Sequence, residues 1–135
     1  MARATIGLAV AAVAMAACAS TVGAVRMQGT TTTDGVYTAD QATKGQALYA
    51  QACEGCHQPA KFGGAEWTRA YVGRPLTEID GAMAEMPADN PGTLTRDDVA
   101  SLIAYFLHMN KYPAGQAPLS GASEALKSIM VSPRP

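Results

Sequence analysis

The sequence predicts an all-α domain: a few helices joined by long connections. Two stretches, around 42–52 and 99–107, repeat apolar residues at the spacing of one helical face. No stretch alternates apolar and polar residues as a half-buried strand does. Between the helical stretches, Gly and Pro recur in clusters such as "GG" at 63–64 and "EMPADNPG" at 85–92, which break regular structure. At 135 residues the chain has room for one small domain. With one Trp and two Phe, that domain is short of side chains to bury, unless a large apolar group fills its centre.

The first segment stands apart from the fold. Arg3 gives a short positive end, and Ile6 to Ala17 form an apolar run rich in Ala. The run is too short to span a hydrocarbon core, which needs about 20 residues, and it suits an export signal over residues 1–17. Cys18 follows. "MAAC" resembles a bacterial lipoprotein box, in which the cysteine becomes the lipidated first residue, although Met15 stands where that pattern prefers Leu. The competing cut lies after "ACA", before Ser20. An unpaired exposed thiol is a liability in an oxidising compartment, so Cys18 is the candidate lipidation site. Residues 18–38, rich in Thr, Gly and Ala, have little to bury and read as a flexible tether. No other stretch is long and apolar enough to cross a membrane.

The fold is expected to begin at Thr38. "TADQ" has the form of a capping box, with Thr38 receiving the first free N–H and Gln41 reaching back. A helix of roughly 39–53 follows, with Ala42, Leu48, Tyr49 and Ala52 on its inner face. Gly45 inside it costs about 1 kcal/mol relative to Ala, which implies a close neighbour. Residues 58–73 read as irregular. Pro75 suits the first turn of a helix over about 75–84, with Leu76, Ile79 and Met83 inward. Thr95 reads as a cap, and Asp97 and Asp98 favour the positive end of a helix carrying Val99, Leu102, Ile103, Phe106 and Leu107 to about Met109. Lys111 suits its negative end. In the tail, 113–135, "SEALKSIM" suits a short helical turn that lays Leu126 and Ile129 on the body.

Chemistry is concentrated in "CEGCH", residues 53–57. Zinc requires four tetrahedral ligands, yet Cys56 and His57 are adjacent, no second Cys pair exists, and the only other histidine is His108 on a different helix. A thiol–disulfide shuttle places Cys-x-x-Cys at a helix start after a strand, whereas this pair follows a helix. Covalent haem accounts for the whole motif: two sulfurs three positions apart meet the two vinyl groups of one porphyrin edge. His57 then follows under the ring with a nitrogen for the iron.

The opposite iron face needs a second ligand or stays open. Met1 and Met15 belong to the signal, Met27 to the tether and Met130 to the tail. Met109 continues an apolar stripe, and Met83 falls on an inward helical face, so both read as packing. Met86 opens a loop stiffened by two prolines, and it is the preferred ligand. His108 reads as a surface histidine. Trp67, Arg69 and Tyr71 each read either as a surface or core residue or as a candidate to hydrogen-bond a haem propionate.

Two stretches, "KGQALYAQACEGCH" at 44–57 and "MPADNPGTLTRDDVASLIAYFL" at 86–107, resemble the class I c-type cytochromes, in their small bacterial monohaem branch. The likeness covers about 39–112. It implies a cytochrome c-like fold, three main helices around one covalently bound haem c per chain, with Cys53 and Cys56 attached to the porphyrin and His57 and Met86 as iron ligands. It further implies that the first and last helices cross closely, Gly45 and Tyr49 meeting Leu102 and Tyr105. A proline carbonyl well after the histidine usually orients the imidazole in this family. Here Pro59 stands only two residues on, so the partner of the His57 Nδ1–H is open.

The function expected on these grounds is one-electron transport in the periplasm, between a donor dehydrogenase or complex and a downstream acceptor, with an anchor through Cys18 to a membrane surface. No enzymatic reaction is expected. Two alternatives stand beside it: a haem enzyme or small-ligand sensor from which the Met ligand is displaced, and a cytochrome subunit of a larger oxidoreductase. Ten basic against eleven acidic side chains give no excess that would favour nucleic acid or name a redox partner.

Overall fold

A computed structural model describes residues 31–135. The export signal, Cys18, Met27 and the first part of the expected tether lie outside the described residues. Five helices follow in order: α1 (Ala39–Ala52), α2 (Gly64–Tyr71), α3 (Thr77–Met83), α4 (Arg96–Met109) and α5 (Ser123–Lys127). Two short 3₁₀ turns, Thr32–Asp34 and Pro59–Phe62, precede α1 and α2. Among the described residues there is no strand, and the architecture is all-α, as the sequence predicts. None of the described helices is long and apolar enough to cross a membrane.

The frame is the pairing of α1 with α4. Thr38 caps α1 by accepting the Gln41 N–H at 3.2 Å. The expected return contact from Gln41 does not form. Its side-chain amide instead donates to the Leu119 carbonyl at 2.9 Å and accepts the Leu119 N–H at 2.8 Å, binding the tail to α1. Thr95 caps α4 reciprocally with Asp98: the Asp98 N–H reaches the threonine hydroxyl, and the carboxylate accepts the Thr95 N–H and hydroxyl. These hydrogen bonds from Thr95 hold the Asp98 carboxyl below its usual range.

Where the two helices meet, Gly45 lies directly on α4. A Cβ built there would stand 1.8 Å from the Ser101 carbonyl oxygen and 3.0 Å from the Tyr105 Cβ. The family resemblance implies Leu102 and Tyr105 as the partners of Gly45 and Tyr49 at this crossing. The structure puts Ser101 and Tyr105 against Gly45 itself, and Leu102 is wholly buried in the core. Tyr49 packs its ring against Tyr105 and Phe106, with centroids 5.3 and 5.9 Å apart.

The other end of α4 turns by a left-handed residue. Lys111 adopts φ 70°, which lets its N–H reach the His108 carbonyl and the Tyr112 N–H reach the Leu107 carbonyl at 3.1 Å. The chain is thereby redirected so that Tyr112 is buried. Its hydroxyl accepts the Trp67 indole N–H at 3.2 Å and donates to the Ser132 carbonyl.

Two stretches differ from the sequence reading. Residues 58–73, expected to be irregular, contain the Pro59–Phe62 turn and all of α2. The expected tether, 18–38, is not free over its final residues: Thr32, Val36 and Tyr37 are buried. The Thr32 N–H donates to the Met130 carbonyl at 3.0 Å, its hydroxyl accepts the Ser132 N–H at 3.0 Å, and the Tyr37 hydroxyl donates to the Tyr112 carbonyl at 2.6 Å. Here the N-terminal segment and the tail touch backbone to backbone, since a Cβ on Gly115 would fall 1.8 Å from the Gly35 carbonyl oxygen. Thr and Gly are what such a crossing accepts, and the same composition reads as a leash in sequence. The tail continues over the domain and buries Leu119, Leu126, Ile129 and Val131 in the one core.

Candidate haem site

The site starts with the end of α1. Cys53 caps the helix, its N–H on the Tyr49 carbonyl at 2.9 Å, and the Cys53 carbonyl then accepts both the Cys56 N–H at 3.1 Å and the His57 N–H at 2.8 Å. This double acceptance folds the pentapeptide into a tight turn that brings His57 back beside the helix. The Tyr49 hydroxyl, from inside α1, donates to the His57 carbonyl and fixes the turn from the core side. Phe62, at the end of the following 3₁₀ turn, sets its ring edge-on to the imidazole at 5.7 Å and stacks on Phe106 of α4 at 4.6 Å.

In front of His57 lies a cleft of two adjoining compartments. The inner one, about 190 Å³, is walled by apolar side chains from every main helix, among them Tyr49, Phe62, Ile79, Leu102 and Phe106. The outer one, about 480 Å³, is bordered by Ala52, Cys56, Pro87 and Asp89. Cys53, His57, Met86 and Leu94 border both. Met83 is buried and borders only the inner compartment. The sequence-predicted residues Cys53, Cys56, His57 and Met86 therefore meet around one space, brought there from the end of α1 and from the loop after α3.

What this arrangement accepts follows from its chemistry. Neither motif cysteine is in a disulfide. Burial pushes the Cys53 thiol pKa up, the opposite of the lowered value that a thiol–disulfide shuttle uses. Among the described residues, no group of three or more His, Cys, Asp or Glu side chains is placed to hold a metal ion, so zinc has no tetrahedral site here. Two unpaired thiols at the rim, an imidazole and a thioether bordering the same cleft, and apolar walls behind them fit a flat porphyrin.

A scan of family models matches residues 40–106 to the family described as cytochrome C oxidase, cbb3-type, subunit III. The domain is a c-type cytochrome. Comparison with curated proteins and with solved structures found no match.

Of the three propionate candidates in this cytochrome, only Tyr71 reaches the cleft. Trp67 is buried and its N–H is committed to Tyr112. Arg69 points to solvent, paired with Glu66 at 3.1 Å with 72% of its side chain exposed. Tyr71 borders the inner compartment, and burial raises its pKa. His108 is exposed on α4 and does not border the cleft. Sequence reasoning missed Phe62, which backs His57. Its signal was present, since Pro59 at the first turn and Phe62 three residues on mark a short helical turn.

Proposed function

We propose that this c-type cytochrome is a one-electron carrier, exported to the periplasm and held at a membrane surface by a lipid on Cys18. It passes electrons from a donor dehydrogenase or complex to a downstream acceptor. The carrying observation is the single cleft that His57 and Met86 border together, with both motif thiols unpaired. Haem c, when bound, supplies one-electron exchange at its iron. Cys53 and Cys56 would hold it by thioether bonds, and His57 would give the nitrogen ligand. Met86 gives a neutral sulfur, which favours the reduced over the oxidised charge state. The apolar walls behind the ligands would act in the same direction. His57 and Met86 would then supply both iron ligands from the chain itself, and on that reading we assign transport and not catalysis.

A second reading rests on the matched family's description, which names an oxidase subunit: the domain works as the haem-bearing subunit of a larger oxidoreductase. Native separation of membranes from the natural host discriminates the two, a single small haem-staining species for the carrier and a large one for the subunit.

The test of the proposal is the mass and spectrum of protein matured in its natural host. The polypeptide is expected to carry one haem, with a sulfur-to-iron band at the red end of the oxidised spectrum and no carbon monoxide binding in the reduced form. A mass without added macrocycle overturns it, and ready carbon monoxide binding favours a small-ligand sensor. Replacing Cys18 by Ser is expected to move the protein from the membrane to the soluble fraction on cell fractionation. A wild-type protein that is already soluble defeats the anchor.

A further inference from the structure

Apart from Leu94, which packs against the core, the loop that carries Met86 has little to hold it. Among the described residues its hydrogen bonds are local: the Met86 N–H on the Met83 carbonyl at 3.0 Å, the Asn90 N–H on the Pro87 carbonyl at 2.9 Å, and the Thr93 hydroxyl on the Asn90 carbonyl at 2.9 Å. The place of the thioether is therefore set by the loop's two flanks, α3 before it and the start of α4 after it.

One side chain joins those flanks. Arg96, the first residue of α4, grips the Asp80 carboxylate of α3 with two parallel hydrogen bonds of 2.8 and 2.9 Å. Its Nε–H donates to the Gly121 carbonyl of the tail at 2.7 Å. The tail passes directly over the start of α4 here, since a Cβ on Gly121 would lie 2.1 Å from the Arg96 carbonyl oxygen. It then binds the start of α3, the Leu76 N–H on the Ile129 carbonyl at 3.0 Å and the Val131 N–H on the Arg74 carbonyl at 2.8 Å. A lone surface ion pair contributes little. This one is two-pronged, closed by a third group, and its Asp80 side chain is only 14% exposed. Gly121 lies beyond the residues that the family model matches.

We infer that Arg96 and Asp80 are positioning residues for Met86: their ion pair, closed by the Gly121 carbonyl, fixes the separation of the loop's flanks and limits how often the thioether swings out of the cleft. The inference rests on the reading of Met86 as the iron ligand.

The test is the affinity of the oxidised, haem-loaded full chain for imidazole, an outside ligand that competes with Met86. Its apparent affinity scales with the fraction of molecules whose thioether is out. Asp80→Asn and Arg96→Ala are expected to bind imidazole about tenfold more tightly than wild type. Arg96→Lys is expected between them and wild type, because an ammonium keeps the charge and loses the fork. Glu66→Gln, which breaks the exposed pair on α2, is expected to bind as wild type. Tm is measured on each variant. A lowered Tm with wild-type imidazole affinity overturns the inference, as does equal tightening in Glu66→Gln. Should Asp80→Asn and Arg96→Ala fail to accumulate, Arg96→Lys decides. Met86→Ala separates the two layers. If it binds imidazole no more tightly than wild type, the ligand reading falls and the positioning role with it. Tight binding there beside wild-type affinity in Asp80→Asn removes the positioning role alone.

Discussion

Replacing Gly45 by Ala is expected to destabilise the haem-loaded protein by about 3 kcal/mol or more, measured by denaturant unfolding. The new methyl would sit 1.8 Å from the Ser101 carbonyl oxygen and 2.5 Å from its carbon. Both are backbone atoms in the middle of α4, so no side chain can rotate away and the two helices must separate. Overpacking a core costs about 1–3 kcal/mol when side chains adjust, and a helix–helix displacement sits at or above the top of that range. Alanine's helix propensity returns only about 1 kcal/mol. Because α1 ends in the haem-binding turn, the displacement also reaches Cys53 and His57, and a changed spectrum is expected with the lost stability. A variant as stable as wild type would mean that the helices do not approach this closely.

Met86→Ala is expected to act on the potential more than on the fold. The residue is half-exposed at the loop's start, so little packing is lost. Removing the neutral sulfur withdraws the ligand that favours the reduced state. The potential is expected to fall by on the order of 100–300 mV, within the roughly 0.8 V range over which axial ligands act. The red-end sulfur band should vanish with it. Met83→Ala supplies the contrast. Met83 is buried in the core, and its loss is expected to cost about 2–5 kcal/mol of stability with the sulfur band intact. Reversal of these two outcomes would move the ligand assignment to Met83.

Much of this was legible in the residues. The caps at Thr38 and Thr95, the inward Leu76, Ile79 and Met83, and the tight crossing at Gly45 all follow from local rules of spacing and hydrogen bonding, and the structure shows each. Legibility ended where a residue's partner is far away in sequence. Gln41 has the local form of a capping residue, yet its amide serves Leu119, and nothing near Gln41 announces that. Trp67 and Tyr71 mark one face of α2, but the short helix lies between glycines, which hid it. Thr32 and Gly35 look like a leash because small residues suit both an unpacked chain and a backbone crossing. Tyr71, and not Arg69, reaches the cleft, because two residues along α2 turn through about 200°, which puts them on opposite faces.

The bond between Thr32 and Ser132 joins positions 100 apart. Contacts of that span form late, since nearly the whole chain must be ordered before they repay the entropy of closing the loop. A polypeptide stopped at Tyr112 would hold the pentapeptide and both long helices, but not the floor that Leu126, Ile129 and Val131 lay beneath α3. Order of synthesis thus leaves an interval in which the cysteines are already present while the fold around them is unfinished.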